Sequence, residues 1–367
     1  MKVLLINSVC GIRSTGRICT DIAKELENRG HEVRIAYGRE QVPEQYKNIA
    51  VRIGTDFDVK CNALKCRIFD NDGFSAKKQT EKFLNWAQKY DPDMLWLHNL
   101  HGYYINVEML FNWIKSRPQM KVKWTLHDCW AFTGHCSYFT FANCKRWEEG
   151  CFNCPQKKNY PSSILADMSK QNWIKKKELF TSVKNMTVIT PSIWLSELVK
   201  QSFLGEYNIE VINNKIDLTV FRPRESNFKK SRNLENKKLV LGVASAWGER
   251  KGLSDFIKLS NMLDDTYKII LIGLTKKQLD LIPDSIIGIE RTNDAKELAE
   301  IYTAADVFVN LTYSDNYPTV NLEAKACGTK IITYNTGGSP ESAGEKAIVV
   351  PTGDINSVFE AIKQVCR

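Results

Sequence analysis

Residues 307–341 constrain the fold of this chain more than any other stretch. Val307-Phe308-Val309-Asn310-Leu311 is a short apolar run and reads as a buried strand. A polar turn follows. Pro318 stands where a first helical residue would, and Gly328 where a helix stops, the usual asymmetry of proline in and glycine out. Lys330-Ile331-Ile332-Thr333-Tyr334 is the next strand, and Thr336-Gly337-Gly338-Ser339-Pro340-Glu341 a second flexible turn. Strand, loop, helix, strand is the repeating unit of an α/β sheet. A helix that starts at the carboxyl end of a parallel strand offers free N–H groups and the positive end of its dipole, which is a site for phosphate. Asp315 lies in the loop beside that terminus, and Glu323 about a turn and a half inside the helix.

On these residues the stretch resembles the Glu-x7-Glu signature of the retaining family 4 glycosyltransferases of GT-B fold. Asp315 takes the first acidic position and Glu323 the second, and the continuation Glu323-Ala324-Lys325-Ala326-Cys327-Gly328-Thr329 is close to the family form. Aspartate in the first position is a departure that keeps the charge and shortens the reach. The resemblance implies a nucleotide-diphosphate sugar as donor, with Asp315 at the sugar and Glu323 at the ribose. Asn316, Tyr317, Pro318 and Thr319 then sit around the donor.

The rest of the chain agrees with an α/β plan. Its 367 residues suggest two domains. Met1 to Asn7 reads as a first strand and is too short for the apolar region of a signal peptide. The loop Ser8 to Arg17 leads to a helix with Ile18, Ile22, Ala23 and Leu26 on one face, stopped by Gly30 and followed by the strand His31 to Ala36. This β-α-β unit opens a doubly wound sheet but lacks the full dinucleotide fingerprint. Gly16 reads either as a glycine that leaves room for a ligand over the helix N-terminus or as a plain turn glycine. Strands over 94–97, 121–126 and 186–190 end in polar residues, among them His98, His101, His127 and Asp128, where an open sheet puts its ligands. Val211 to Pro223 resembles the family's segment near the hinge. Arg224 to Lys238 is polar and basic, a linker, and Leu239-Val240-Leu241-Gly242-Val243-Ala244 opens a second α/β domain. The expected plan is therefore an acceptor domain over 1–223, a linker over 224–238 and a donor domain over 239–367. By resemblance these are two Rossmann-like domains facing across a cleft; Asn356 to Arg367 can form one helix, and either it is the family's crossing helix or that element is missing.

Ser245-Ala246-Trp247-Gly248-Glu249-Arg250-Lys251-Gly252 follows a strand directly. Two adjacent cations there can hold a diphosphate. Lys251 matches the family's diphosphate lysine. The family's arginine lies five residues earlier, where this chain has Ala246, so its role passes to Arg250, with Ser245 in the same loop. Positioned cations and helix N–H groups stabilise a departing diphosphate more in the transition state than in the ground state. No Asp-x-Asp motif stands at a strand end, because Asp91-Pro92-Asp93 precedes its strand. Transfer without a catalytic metal or other cofactor is expected. The resemblance implies retention by front-face attack, the leaving phosphate helping to deprotonate the acceptor. It places His127 near the donor sugar and His98, His101 and Asp128 on the acceptor side.

Cys136, Cys144, Cys151 and Cys154 fall in one segment, ending in a Cys-x2-Cys pair with zinc-ligand spacing. It resembles the Cys-rich insert of a polysaccharide-biosynthesis subgroup. A structural zinc clamp, free thiols and disulfides all remain open. The aromatic residues Trp130, Phe132, Tyr138, Phe139 and Phe141 either contact a sugar or lipid or pack the insert itself.

The formal charge of +9 fits solvated surface charge or a membrane-facing patch that meets a lipid-linked acceptor. No apolar run of about 18 residues is present, so a cytoplasmic protein, working at the inner face of the plasma membrane, is expected. Three functions compete: a retaining glycosyltransferase of bacterial surface-polysaccharide assembly, a catalytically weak sugar-nucleotide-binding subunit, and a zinc-dependent nucleic-acid binder. The last explains neither residues 313–341 nor the two-domain plan, so no nucleic-acid partner is expected.

Overall fold

The computed structural model describes residues 1–367. It divides into two units, Met1–Asn213 and Asn214–Arg367. The first holds seven parallel strands: β1 Lys2–Asn7, β2 Glu32–Tyr37, β3 Ala50–Arg52, β4 Met94–Leu97, β5 Lys121–Thr125, β6 Met186–Thr190 and β7 Asn208–Val211. Their order is β3-β2-β1-β4-β5-β6-β7. The second holds six: β8 Lys238–Val243, β9 Tyr267–Ile272, β10 Ile286–Ile289, β11 Val307–Asn310, β12 Lys330–Tyr334 and β13 Ile348–Val350, in the order β10-β9-β8-β11-β12-β13. Both sheets reverse direction of growth once, between β1 and β4 and between β8 and β11. Such a switch point leaves a crevice at the carboxyl ends of the two strands, where doubly wound folds bind ligands.

Burial on both faces explains the continuous apolar runs. In β1, Val3 and Leu5 join the cluster with Cys19, Ala23 and Leu26 of the helix Arg13–Asn28, while Leu4 and Ile6 join the opposite one with Leu110 and Trp124. In the second unit Val240, Val307 and Val309 face one layer, and Leu239, Leu241 and Phe308 the other. Each such side chain contributes about 1.5–3 kcal/mol by leaving water.

Two expectations are corrected, the linker with its boundary and the turn. Residues 224–238 are not a free linker: Phe228 and Leu234 are buried with Phe221 in the core of the second unit, and Lys229 pairs with Asp306 at 2.8 Å. The second unit therefore begins at Asn214, before the expected boundary. The turn 336–341 holds the start of a short helix, Ser339–Ala343. The closing helix, Ile355–Val365, buries Val358, Ala361 and Ile362 in the second unit's own core.

Candidate active site

In the second unit the loops after β8 and β11 meet. Gly252 takes φ 74°, and a Cβ there would lie 2.3 Å from the Leu311 carbonyl oxygen, so glycine is required where one loop crosses the end of β11. Lys251, just before it, forms an ion pair with Asp315 Oδ2. The Arg250 guanidinium donates to the Ser314 carbonyl at 2.6 Å, and the Tyr313 N–H donates to the Arg250 carbonyl at 2.8 Å. The third loop, after β12, closes on the same backbone. Gly338 N–H donates to the Asp315 carbonyl at 3.2 Å and Thr336 Oγ1 to the Tyr313 carbonyl at 3.0 Å. Beneath them Asp255, 2% exposed, accepts from Tyr313 OH at 2.6 Å and Tyr334 OH at 2.9 Å.

Asp315 leads into the helix Thr319–Ala326, whose N-cap is Pro318. Proline has no side-chain acceptor, so no side chain caps the first N–H groups of that helix. The helix is anchored from within. Asn321 accepts from Asn310 Nδ2 at 2.8 Å and donates to Ser339 and Ser342. Burial alone would raise the Asp315 carboxyl, but Lys251 and then Arg250 outweigh it and hold its pKa below the ordinary value. Burial lowers the Lys251 ammonium against the pull of Asp315. The result is an anchored, uncapped helix start with two cations and one carboxylate beside it, a geometry fit for an anionic ligand.

The sequence-derived donor residues separate into groups. Arg250, Lys251, Asp315 and Asn316 come together, the last through its N–H, which donates to Asp315 Oδ1 at 2.9 Å. Tyr317 is fixed through its carbonyl by Asn214 Nδ2 at 3.1 Å, Thr319 opens the helix and Ser245 is exposed. Glu323, inside the same helix, is buried, and its Oε2 accepts from the buried Tyr302 OH at 3.1 Å. Gly16 lies within the helix Arg13–Asn28, where a Cβ would press on Val9 and Gly11 at 3.1 and 3.2 Å. The structure therefore gives Gly16 a packing reason.

In the first unit the ends of β4 and β5 bring the histidines together. His98 Nδ1 lies 3.0 Å from His127 Nε2, with the rings stacked, and His101 Nε2 lies 2.8 Å from Asp128 Oδ2. Burial lowers His98 strongly and His127 to about 4, so both are neutral imidazoles near pH 7. Burial would lower His101 too, but Asp128 reverses the sign and its pKa is raised. His98 is 1% exposed and lies against His127. His101 and Asp128 are also buried, and Tyr160 carries their chain outward, its hydroxyl 3.0 Å from His101 Nδ1.

The Cys-rich segment is a packed structure. Trp130, Phe132 and Phe139 are buried, which settles them as packing residues, whereas Phe141 is exposed. All eleven cysteines are free thiols. Cys136, Cys144, Cys151 and Cys154 line one pocket, although no three acidic, thiol or imidazole groups stand arranged as a finished metal shell. Lys176, one of a run of three lysines that reads as surface charge, is fully buried. It donates to the Trp130 and Thr133 carbonyls at 2.8 and 3.0 Å and lies over the Trp130 ring. Asp255, Asn321, Tyr160 and Lys176 escaped the sequence reading because their partners lie far away in the chain.

Two parallel sheets of Rossmann order with loops converging at each switch point define a GT-B architecture. Residues 223–367 match the family model for glycosyl transferases group 1. Across 353 residues the chain is 22% identical to the putative colanic acid biosynthesis glycosyl transferase WcaC of Escherichia coli strain K12, covering 93% of this chain and 85% of that one. It is 28% identical over 163 residues to the N,N'-diacetylbacillosaminyl-diphospho-undecaprenol alpha-1,3-N-acetylgalactosaminyltransferase of Campylobacter jejuni, covering 40% of this chain and 42% of that one. In fold it is similar to sucrose-phosphate synthase from Thermosynechococcus elongatus, with TM-score 0.72, 15% identity and 99% and 89% of the chains covered. It is also similar to Anabaena HepE in complex with UDP and glucose, with TM-score 0.66, 13% identity and the same coverage.

Proposed function

We propose that the protein is a retaining glycosyltransferase. It moves a sugar from a nucleotide-diphosphate sugar to a lipid-linked or oligosaccharide acceptor in cell-surface polysaccharide synthesis. The observation that carries this reading is the convergence of Arg250, Lys251 and Asp315 on the uncapped start of the helix Thr319–Ala326. The diphosphate lies at that helix start, and Lys251 is shared between it and Asp315. Charge that develops on the departing phosphate is met by fixed N–H groups and cations, which is the work a divalent ion does elsewhere. The sugar is attacked from the leaving-group side, and the phosphate takes the acceptor proton, so no protein nucleophile is needed. His127, as a neutral imidazole, hydrogen-bonds a sugar hydroxyl.

The relatives' names support polysaccharide assembly and a lipid-linked acceptor. No helix is long and apolar enough to cross a membrane. Contact with a membrane face instead fits the exposed Phe57, Leu64, Phe69, Ile164 and Leu165, interleaved with Lys60 and Lys65. Incubating the purified chain with UDP-, GDP- and dTDP-sugars and a lipid-linked acceptor tests the reading. Product with the donor's anomeric configuration is expected in the presence of chelator. An inverted product would exclude the retaining mechanism, and dependence on added metal would exclude the metal-free one.

A second reading, a catalytically weak sugar-nucleotide-binding subunit, is favoured by the closed Lys251–Asp315 pair and by Ala246 in the family's arginine position. Donor binding without hydrolysis or transfer would select it.

A further inference from the structure

Between β5 and β6 a cavity of about 10 Å³, room for one ion or water, is lined by His135, Cys136, Cys144, Cys151 and Cys154. The backbone around it is built for close approach. Gly134 N–H donates to Cys151 Sγ at 3.2 Å, and a Cβ on Gly134 would lie 1.9 Å from the Ser169 carbonyl oxygen. Cys151 and Asn153 both have positive φ, 39° and 44°, which turns the Cys-x2-Cys pair tightly. N–H donation to sulfur is the kind of support that surrounds a metal-bound thiolate.

His135 gives the second observation. Its Nδ1 lies 2.5 Å from Asp70 Oδ1, with both side chains at most 2% exposed. Its Nε2 is buried and has no hydrogen-bond partner. A buried polar atom left unpaired costs about 1–3 kcal/mol and calls for an explanation. An imidazole fixed by a carboxylate, with its other nitrogen beside a cluster of thiols, is the outer support of a metal site.

We propose that this pocket binds one zinc ion through the thiolates of Cys136, Cys144, Cys151 and Cys154, with His135, anchored through Nδ1 by Asp70, presenting its Nε2 to the sulfur cluster. The thiols do not yet share a common centre as they stand, so ligation turns them inward. Each thiol that ligates gives its proton to solvent, and no electron is transferred. A set of four sulfurs selects zinc among the abundant divalent ions. The ion staples the segment that brings Tyr160 to His101 and supplies the two carbonyls that hold Lys176.

The test is metal content and affinity, neither of which depends on glycosyl transfer. The full chain is purified without chelator and its zinc measured by mass spectrometry. About one zinc per chain is expected, falling below about 0.1 in Cys136→Ser and Cys154→Ser. Competition with a chromophoric chelator should show zinc affinity about 10–100-fold weaker in His135→Ala and Asp70→Asn. Because a cysteine variant can fail to fold, the wild-type chain carries the deciding arm. After chelation and denaturation it should yield all eleven thiols. A wild-type chain that takes up no zinc when one equivalent is supplied, or that yields fewer thiols because of a disulfide in this segment, overturns the site. Unchanged zinc affinity in His135→Ala overturns the role given to His135.

Discussion

Lys251 and Asp315 hold each other, 64 residues apart in sequence, where the loops after β8 and β11 meet. The pair places an ammonium beside a helix start that lacks a side-chain cap, and it keeps a carboxylate ionised in a largely buried position.

Removing the ammonium should therefore damage both folding and catalysis. Lys251→Ala leaves Asp315 without its partner and should lower stability by about 3 kcal/mol, the cost of orphaning one member of a largely buried pair. Turnover should fall about 10²–10³-fold, as when one fixed donor to a developing anion is lost. Denaturant unfolding and initial rates measure the two effects. Full turnover in the variant would remove Lys251 from the site.

The same pair predicts a pH dependence. The pKa of Asp315 is lowered in the fold, so its contribution to stability is complete above the ordinary carboxylate range and is lost as pH falls through the lowered value. Between pH 7 and pH 3 the melting temperature of the wild type should fall more steeply than that of Asp315→Asn. Parallel curves for the two proteins would show that the pair does not titrate this way.

Gly337 makes a prediction of a different kind. It takes φ 54°, and a Cβ on it would lie 1.9 Å from the Asp315 carbonyl oxygen. Gly337→Ala must push the 313–317 loop away, which should cost about 1–3 kcal/mol and weaken donor binding without touching a charge. A structure of the variant, or its donor affinity, checks this. An undisturbed loop with wild-type affinity would contradict it.

Much of the fold could be read from the sequence, and the residues show why. Most interior strands, such as β1, β4, β8, β11 and β12, declare themselves as apolar runs because both of their faces are covered, whereas β2 and β5 alternate charged and apolar residues. The four strands that escaped the reading, β3, β7, β10 and β13, are the edges of the two sheets. In β7 only Ile209 has any burial, so it carries no apolar pattern. The site was legible where its residues are local, as in Arg250-Lys251 and Asp315-Asn316. It was not legible where a distant partner decides the role. Nothing near Glu323 in the sequence announces Tyr302, and nothing near Lys176 announces the carbonyls of Trp130 and Thr133.

His127 should remain neutral in the folded protein. Burial lowers its pKa to about 4, so the unfolded chain binds more protons than the folded one between that value and the ordinary range near 6.5. Stability from this group is complete above about pH 6.5 and declines as the solution is acidified toward pH 4. Imidazole resonances followed by NMR from pH 8 to 5 should show no titration of His127. A midpoint near 6.5 would contradict the burial account and its neutral role at the sugar.

The central claim is that Lys251, Arg250 and the helix start at Thr319 grip the diphosphate of a sugar nucleotide. Calorimetric titration of UDP-, GDP- and dTDP-sugars into the wild type and into Lys251→Ala tests it most directly. The account predicts saturable binding of at least one donor to the wild type, weakened about 10-fold or more in the variant, as loss of a charge-assisted contact requires. Equal affinity in the two proteins, or no binding of any sugar nucleotide to a folded wild type, would contradict it.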